Sequence, residues 1–343
     1  MRGVLLVSLL IITTSACMAQ QSDESVAERR SLFSKQTLRH LRSGTPSDQF
    51  ELAHAYLVGQ GVSKDPRKAF AWYKKAADRR HTGAMTELGN MYFKGLGVPR
   101  DYQKAFEWFQ LGAMLGDPHA QFNLGFLYFN GLGVPTDLRR AVKWWELAAA
   151  KIPDAQTNLG FAYFNGTGLP RDVDRGCQLF EQAAKAGFAG GQYNLGFCYE
   201  TGQGVSHDFV EAAHWYREAA EQGCASAQVN LGILYQNGKG AERDLARAVS
   251  LFRLGADGGN PKAFTNLANI YHNGNGVGRD PVISYMWLEL AQGSGEQVAE
   301  AKQIVASGLT QEEITEAVHR AEGWRKGHSN VPYPGLSLLA TAK

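Results

Sequence analysis

Residues 121–150 read QFNLGFLYFNGLGVPTDLRRAVKWWELAAA. Leu124 and Tyr128 stand four apart, which puts both on one face of a helix. That helix runs into Gly131-Leu132-Gly133, and glycine ends a helix well because it adopts left-handed backbone without strain. Asp137 follows, and a carboxylate there accepts from the free N–H groups of a new first turn. Ala141 and then Trp144-Trp145 continue at helical spacing. The stretch therefore predicts a hairpin of two helices, A and B. One such hairpin cannot bury its own apolar faces, so copies of it are expected along the chain.

Seven copies are present. The Gly-x-Gly pair recurs at Gly59/Gly61, Gly95/Gly97, Gly131/Gly133, Gly166/Gly168, Gly202/Gly204, Gly238/Gly240 and Gly274/Gly276, every 36 residues except for one step of 35. The deletion lies at Lys151-Ile152-Pro153, which marks a loop there. A tyrosine stands three before each pair, from Tyr56 to Tyr271, and a leucine four before each tyrosine, from Leu52 to Leu267. Glycine follows that leucine at Gly89, Gly125, Gly160, Gly196 and Gly232, where it costs helix stability and so points to close helix–helix approach. Aspartate comes six residues after the first glycine in every copy: Asp65, Asp101, Asp137, Asp172, Asp208, Asp244 and Asp280. Pro66 and Pro281 sit at the next position, where a missing N–H is harmless. These aspartates are helix caps, not an acidic constellation.

Gly-x-Gly-Val, then Asp, then Ala-x-x-Trp-Tyr-x-x-Ala-Ala resembles the Sel1-like repeat, a relative of the tetratricopeptide repeat. Leu179 and Leu251 depart from it in the tryptophan column. The resemblance implies an all-α fold, an α-solenoid of seven helix-turn-helix repeats over 48–295. It also implies a monomeric, non-enzymatic scaffold that binds another protein. Residues 20–47 are expected to supply an N-terminal cap, with a helix over 22–42, and residues 296–325 C-terminal capping helices. There Thr310 and Glu313 form a capping box that opens a helix reaching about Trp324. Residues 326–343 carry no helical pattern and read as a flexible tail.

Residues 1–19 read as a secretory leader, with Arg2 before the nine-residue apolar run Val4–Ile12, which is too short to span a bilayer. Two endings compete. Cys17-Met18-Ala19 suits cleavage before Gln20. Thr14-Ser15-Ala16-Cys17 resembles a lipobox, with Thr14 in place of the usual leucine, and would leave Cys17 acylated. Either ending places the chain in a periplasm, as a soluble protein or as an outer-membrane lipoprotein tethered through Cys17.

The 35 basic and 33 acidic residues nearly cancel and form no basic stripe, which argues against nucleic acid as a partner. Cys177, Cys198 and Cys224 are too irregularly spaced for a disulfide framework. Cys198 falls in an apolar column and reads as a buried thiol, with a Cys177–Cys198 bridge as the alternative. No nucleophile elbow, phosphate loop or His-Glu-x-x-His is present, and His54, His214 and His272 each stand alone. No cofactor or metal site is expected. A β-lactamase-like activity, described for cysteine-rich Sel1-like proteins, lacks its regular cysteine pairs here, and also Ser-x-x-Lys and Lys-Thr-Gly.

Three helix-A positions vary between copies: nine, five and two before the first glycine. Their spacing places them on one face, which by analogy with the family lines the concave surface. The middle of this stripe is aromatic: Phe93, Phe122, Phe126, Phe129, Phe161, Phe164, Tyr193 and Phe197. Its ends are polar: His54, Asn90, Glu200, Gln236, Asn269 and His272. Two readings stay open, rings packed between repeats or a hot spot inside a polar rim. The resemblance offers three kinds of partner: a secreted toxin, an envelope sensor kinase, or assembly and virulence machinery. Immunity to a type VI phospholipase effector is the reading taken forward.

Overall fold

The computed structural model describes residues 34–328. Among them are seventeen helices and no strand. The seven A helices are α2 (Pro46–Val58), α4 (Thr82–Lys94), α6 (Pro118–Asn130), α8 (Pro153–Asn165), α10 (Ala189–Thr201), α12 (Ala225–Asn237) and α14 (Pro261–Asn273). Their B partners are α3 (Pro66–Asp78), α5 (Tyr102–Met114), α7 (Leu138–Ala148), α9 (Val173–Lys185), α11 (Phe209–Glu221), α13 (Leu245–Asp257) and α15 (Pro281–Gly293). α1 (Lys35–Ser43) precedes them; α16 (Ala299–Ala306) and α17 (Gln311–Gly327) follow. This is the expected all-α solenoid of helix hairpins.

The turn between A and B works as its residues dictate. Gly131 takes φ 67° and ψ 35°, and its N–H closes α6 on the Leu127 carbonyl. The carboxylate of Asp137 then accepts from the Arg140 N–H at 2.9 Å and starts α7. All seven aspartates cap their helices in this way. Each also donates its own N–H to the carbonyl of the column tyrosine, as Asp137 does to Tyr128 at 2.9 Å. The aspartate thus closes the loop and opens the next helix with a single residue. The second glycine of five pairs, at Gly97, Gly133, Gly168, Gly240 and Gly276, has another task. A Cβ on Gly133 would lie 2.2 Å from the carbonyl oxygen of Tyr102, the first residue of the preceding B helix, so it sets how closely consecutive hairpins stack.

Inside a hairpin, the helical glycine of A lies under the second aromatic of B. A Cβ on Gly125 would sit 2.6 Å from the Trp145 ring, and one on Gly160 2.8 Å from the Phe180 ring. That aromatic column is sealed: Tyr73, Phe109, Trp145, Phe180, Tyr216 and Phe252 are at most 2% exposed. The aromatic before it is different. Trp72, Trp108, Trp144 and Trp215 are half-buried, and Lys75 and Lys74 sit over the Trp72 and Trp108 rings.

The chain divides into two compact units, with the boundary between Ala183 and Ala184. In the first, Leu41 of α1 joins Leu52, Tyr73, Met85 and Leu88 in one core. In the second, Tyr216, Leu231, Phe252, Leu267 and Trp287 belong to a single core. α17 closes it with Ala317 and Ala321 fully buried, and with Trp324 edge-on to Phe264 at 5.4 Å.

Some boundaries differ from expectation. The first repeat opens at Pro46, because Thr45 and Asp48 exchange bonds as a capping box. α1 starts at Lys35 behind the Ser34 cap, and residues 22–33 of the cap helix expected over 22–42 lie outside the described residues. α17 runs on to Gly327, which puts Lys326 in a helix and not in the tail. The Thr310–Glu313 capping box forms as the sequence predicts. Cys198 is fully buried, yet it is no thiol: Cys177, Cys198 and Cys224 are all disulfide-bonded. The leader, Cys17 and residues 329–343 lie outside the described residues.

Candidate protein-binding surface

The variable helix-A stripe is not one kind of surface. In the first unit Phe129 and Phe161 are 8% and 7% exposed and belong to the core, Phe129 packing on Trp145 at 5.4 Å. Phe93, Phe122, Phe126 and Phe164 are half-buried. Phe93 meets Phe126 of the next repeat edge to face at 6.0 Å and leans on Tyr102 at 5.3 Å. Phe164 packs on Phe180 at 6.2 Å. In the second unit Tyr193 and Phe197 are half-buried against the core. Sequence spacing grouped eight residues. Burial keeps six of them as candidate contacts and assigns Phe129 and Phe161 to the interior.

Two of the polar positions, Asn90 and Glu200, belong to hydrogen-bonded clusters, one in each unit. In the first, Asn123 donates to Asn90 at 3.2 Å and Asn90 to Glu87 at 3.3 Å. In the second, the Tyr216 hydroxyl donates to Glu200 at 2.6 Å and accepts from the Asn230 amide at 3.0 Å. Burial and the nearby Glu200 carboxylate push the Tyr193 phenol up to about 12, and push Tyr216 well above its ordinary value. Both hydroxyls are therefore protonated donors at any physiological pH. His54 is exposed, and His272 keeps a buried Nδ1 with no hydrogen-bond partner among the described residues.

The sequence reading missed Glu87, Asn123 and Asn230. A signal existed: eight residues before the first glycine, asparagine stands at Asn123, Asn158, Asn194, Asn230 and Asn266. A second missed pattern lies at the B-helix caps. Lys68, Lys104, Arg140 and Arg247 each pair with the capping aspartate and lie over the tyrosine of their own repeat, with Arg140 3.2 Å from Asp137 and 5.6 Å from the Tyr128 ring centre. Among the described residues no group of His, Cys, Asp or Glu could hold a metal ion, and no helix is long and apolar enough to cross a membrane.

The Sel1 repeat pattern matches residues 46–81, 82–117, 118–151, 153–188, 189–224, 225–260 and 261–291. The chain belongs to the Sel1 repeat family. As a Sel1 repeat solenoid it is a protein-interaction scaffold. Among solved structures it is similar to a Sel1 repeat protein from Oxalobacter formigenes, with 32% identity over 78% of both chains and a TM-score of 0.61. It is also similar to a protective antigen present in uropathogenic Escherichia coli strains. There the identity is 26% over 90% of this chain and 74% of the other, with a TM-score of 0.53. An immunity protein of Pseudomonas aeruginosa matches at 24% identity over 62% of this chain and 81% of its own. Its TM-score of 0.43 marks a superposition too loose to carry function across. No curated protein matches the chain.

Proposed function

We propose that this Sel1 scaffold binds a protein outside the cytoplasm through its helix-A face, and that the partner is a secreted phospholipase toxin which it neutralises one to one. The observation that carries the binding face is the Phe93–Phe126 pair, two half-buried rings from adjacent A helices. Aromatic residues half-sunk in a rigid support lose little conformational freedom on binding and are typical anchors of an interface. Neutralisation asks for a rigid cover and no turnover, which suits a solenoid scaffold. The leader-like N-terminus supports action in the compartment an exported toxin reaches.

The test is inhibition. The chain, mixed at equal concentration with a phospholipase encoded beside its gene, should abolish lipid hydrolysis. Phe126→Ala should raise the concentration needed by at least about tenfold if the ring is a hot spot. Undiminished hydrolysis at excess scaffold, together with normal survival of a deletion strain facing a toxin-bearing sibling, would remove the immunity reading. Fractionation of Cys17→Ser tests the tether: release from membranes marks a lipoprotein.

A further inference from the structure

Glu200 occupies the position, two before the first glycine, that Phe129 and Phe164 fill in earlier repeats. It replaces a ring with a charge on the same helix face. The side chain is half-buried, and it forms no ion pair with any described residue. Another half-buried glutamate shows what is missing. Glu289 is held by Lys302 and also lies 3.9 Å from Arg325, two cations on one carboxylate.

What surrounds Glu200 is built. The Tyr216 ring is fully buried, so its hydroxyl has one direction to point, and it donates to Oε2 of Glu200 at 2.6 Å. The Asn230 amide braces that hydroxyl at 3.0 Å. Tyr193 and Tyr216 pack with ring centres 5.8 Å apart. Three elements, α10, α11 and α12, thus fix one carboxylate, bind one of its oxygens and leave it without an ion-pair partner among the described residues. A charge drawn partly out of water with no cation beside it favours any partner group that supplies one.

The geometry points to Glu200 as the anchor for an arginine side chain presented by the protein partner. The inference rests on the reading that this face binds a protein, and it names the chemistry of one contact. Arginine fits better than lysine. Its planar guanidinium lies against aromatic rings such as Tyr193 and Phe197, while its forked N–H groups meet a carboxylate. Lysine offers a point charge that stays strongly hydrated.

A random twelve-residue peptide library displayed on phage, selected against the full chain, tests this without a known partner. Selected peptides should be rich in arginine beside apolar residues. Their affinity should fall at least about tenfold on Glu200→Gln, where the amide still accepts from Tyr216. Replacing the peptide arginine by citrulline should give the same loss on the native chain and no further loss on the variant. Should Glu200→Gln lower the melting temperature, the citrulline comparison on the native chain decides alone. Peptides without arginine, or bound equally well by Glu200→Gln or as citrulline forms, overturn the Glu200 assignment and leave protein binding intact. Failure to select any peptide overturns both.

Discussion

Tyr73 and Tyr216 hold the same position, eight residues after the capping aspartate, one in each unit, and both rings are fully buried. Their hydroxyls meet different fates. Tyr216 donates to Glu200 and accepts from Asn230. The Tyr73 hydroxyl has no hydrogen-bond partner among the described residues, and burial together with Glu87 pushes its pKa up. Two positions account for the contrast. Where the second unit has Glu200, the first has Leu57; where the second has Asn230, the first has Glu87, whose Oε1 is already bound by Asn90. The fold asks this column for a ring. What becomes of the polar end is decided by the variable columns around it, which are the ones a partner would read.

The sharpest way to break the comparison is at the residue beneath each ring. Gly196 lies under Tyr216, and an added Cβ would sit 2.8 Å from its Cδ1. The first repeat already carries Ala53 in that column, fully buried. Gly196→Ala should therefore destabilise the second unit by about 1–3 kcal/mol from overpacking, less up to about 1 kcal/mol regained in helix propensity. Hydrogen exchange of amides in α10 and α11 would report it. Unchanged protection would mean that the ring has room to move and that the glycine column is not a packing constraint.

The next effect is smaller and has opposite expectations in the two units. Tyr216→Phe removes a donor to a carboxylate and an acceptor for Asn230. Because Glu200 and Asn230 are half-buried, water recovers part of the loss, leaving about 1 kcal/mol of destabilisation. Tyr73→Phe removes a buried hydroxyl that bonds nothing, so it should be neutral or slightly stabilising. Thermal melts of the two variants give the sign directly. Equal destabilisation by both would show that the Tyr73 hydroxyl has a partner after all, such as an ordered water.

These contrasts mark how far the sequence was legible. Columns filled alike seven times, such as Leu124, Tyr128 and Asp137, gave the hairpin, its turn and its caps, because one environment recurs and selects one residue type. The variable columns have no such average. Phe126 and Phe161 share a column, yet one is half-buried and the other belongs to the core. Each ring's burial depends on what neighbouring side chains supply, and those differ from copy to copy. The state of Cys198 was opaque for a similar reason. Spacing along the chain carries no signal for sulfurs brought together by folding. The Glu200 cluster draws on three helices, α10, α11 and α12, and only its α10 members, Glu200 and Tyr193, lay in columns already under suspicion.

The smallest expected effect is a pH response confined to one unit. His81 caps α4, its Nδ1 accepting from the Ala84 N–H at 3.1 Å, while its ring stacks on Phe50 at 4.7 Å. The same position in the last repeat is Asn260, which caps α14 through its amide oxygen and does not titrate. Desolvation by burial holds the His81 pKa below its ordinary value, partly opposed by the Asp117 carboxylate and by a hydrogen bond to the His81 backbone. A lowered histidine pKa means that the neutral ring is the one the fold prefers. The cap is therefore complete above the unfolded value of about 6.5 and is lost as pH falls through the lower folded value. Protonation turns Nδ1 from acceptor to donor and places a positive charge at a helix N-terminus, where it is unfavourable. Because His81 is partly exposed, the loss should not exceed about 1 kcal/mol, the typical worth of a cap. Between pH 7.5 and 5.5, the exchange protection of α4 amides should fall by up to about fivefold after correction for intrinsic rates, while that of α14 holds. His81→Asn should abolish the difference, because the asparagine amide caps at every pH. A parallel loss in α14, or a response that survives His81→Asn, would assign the effect to general acid destabilisation and not to this cap.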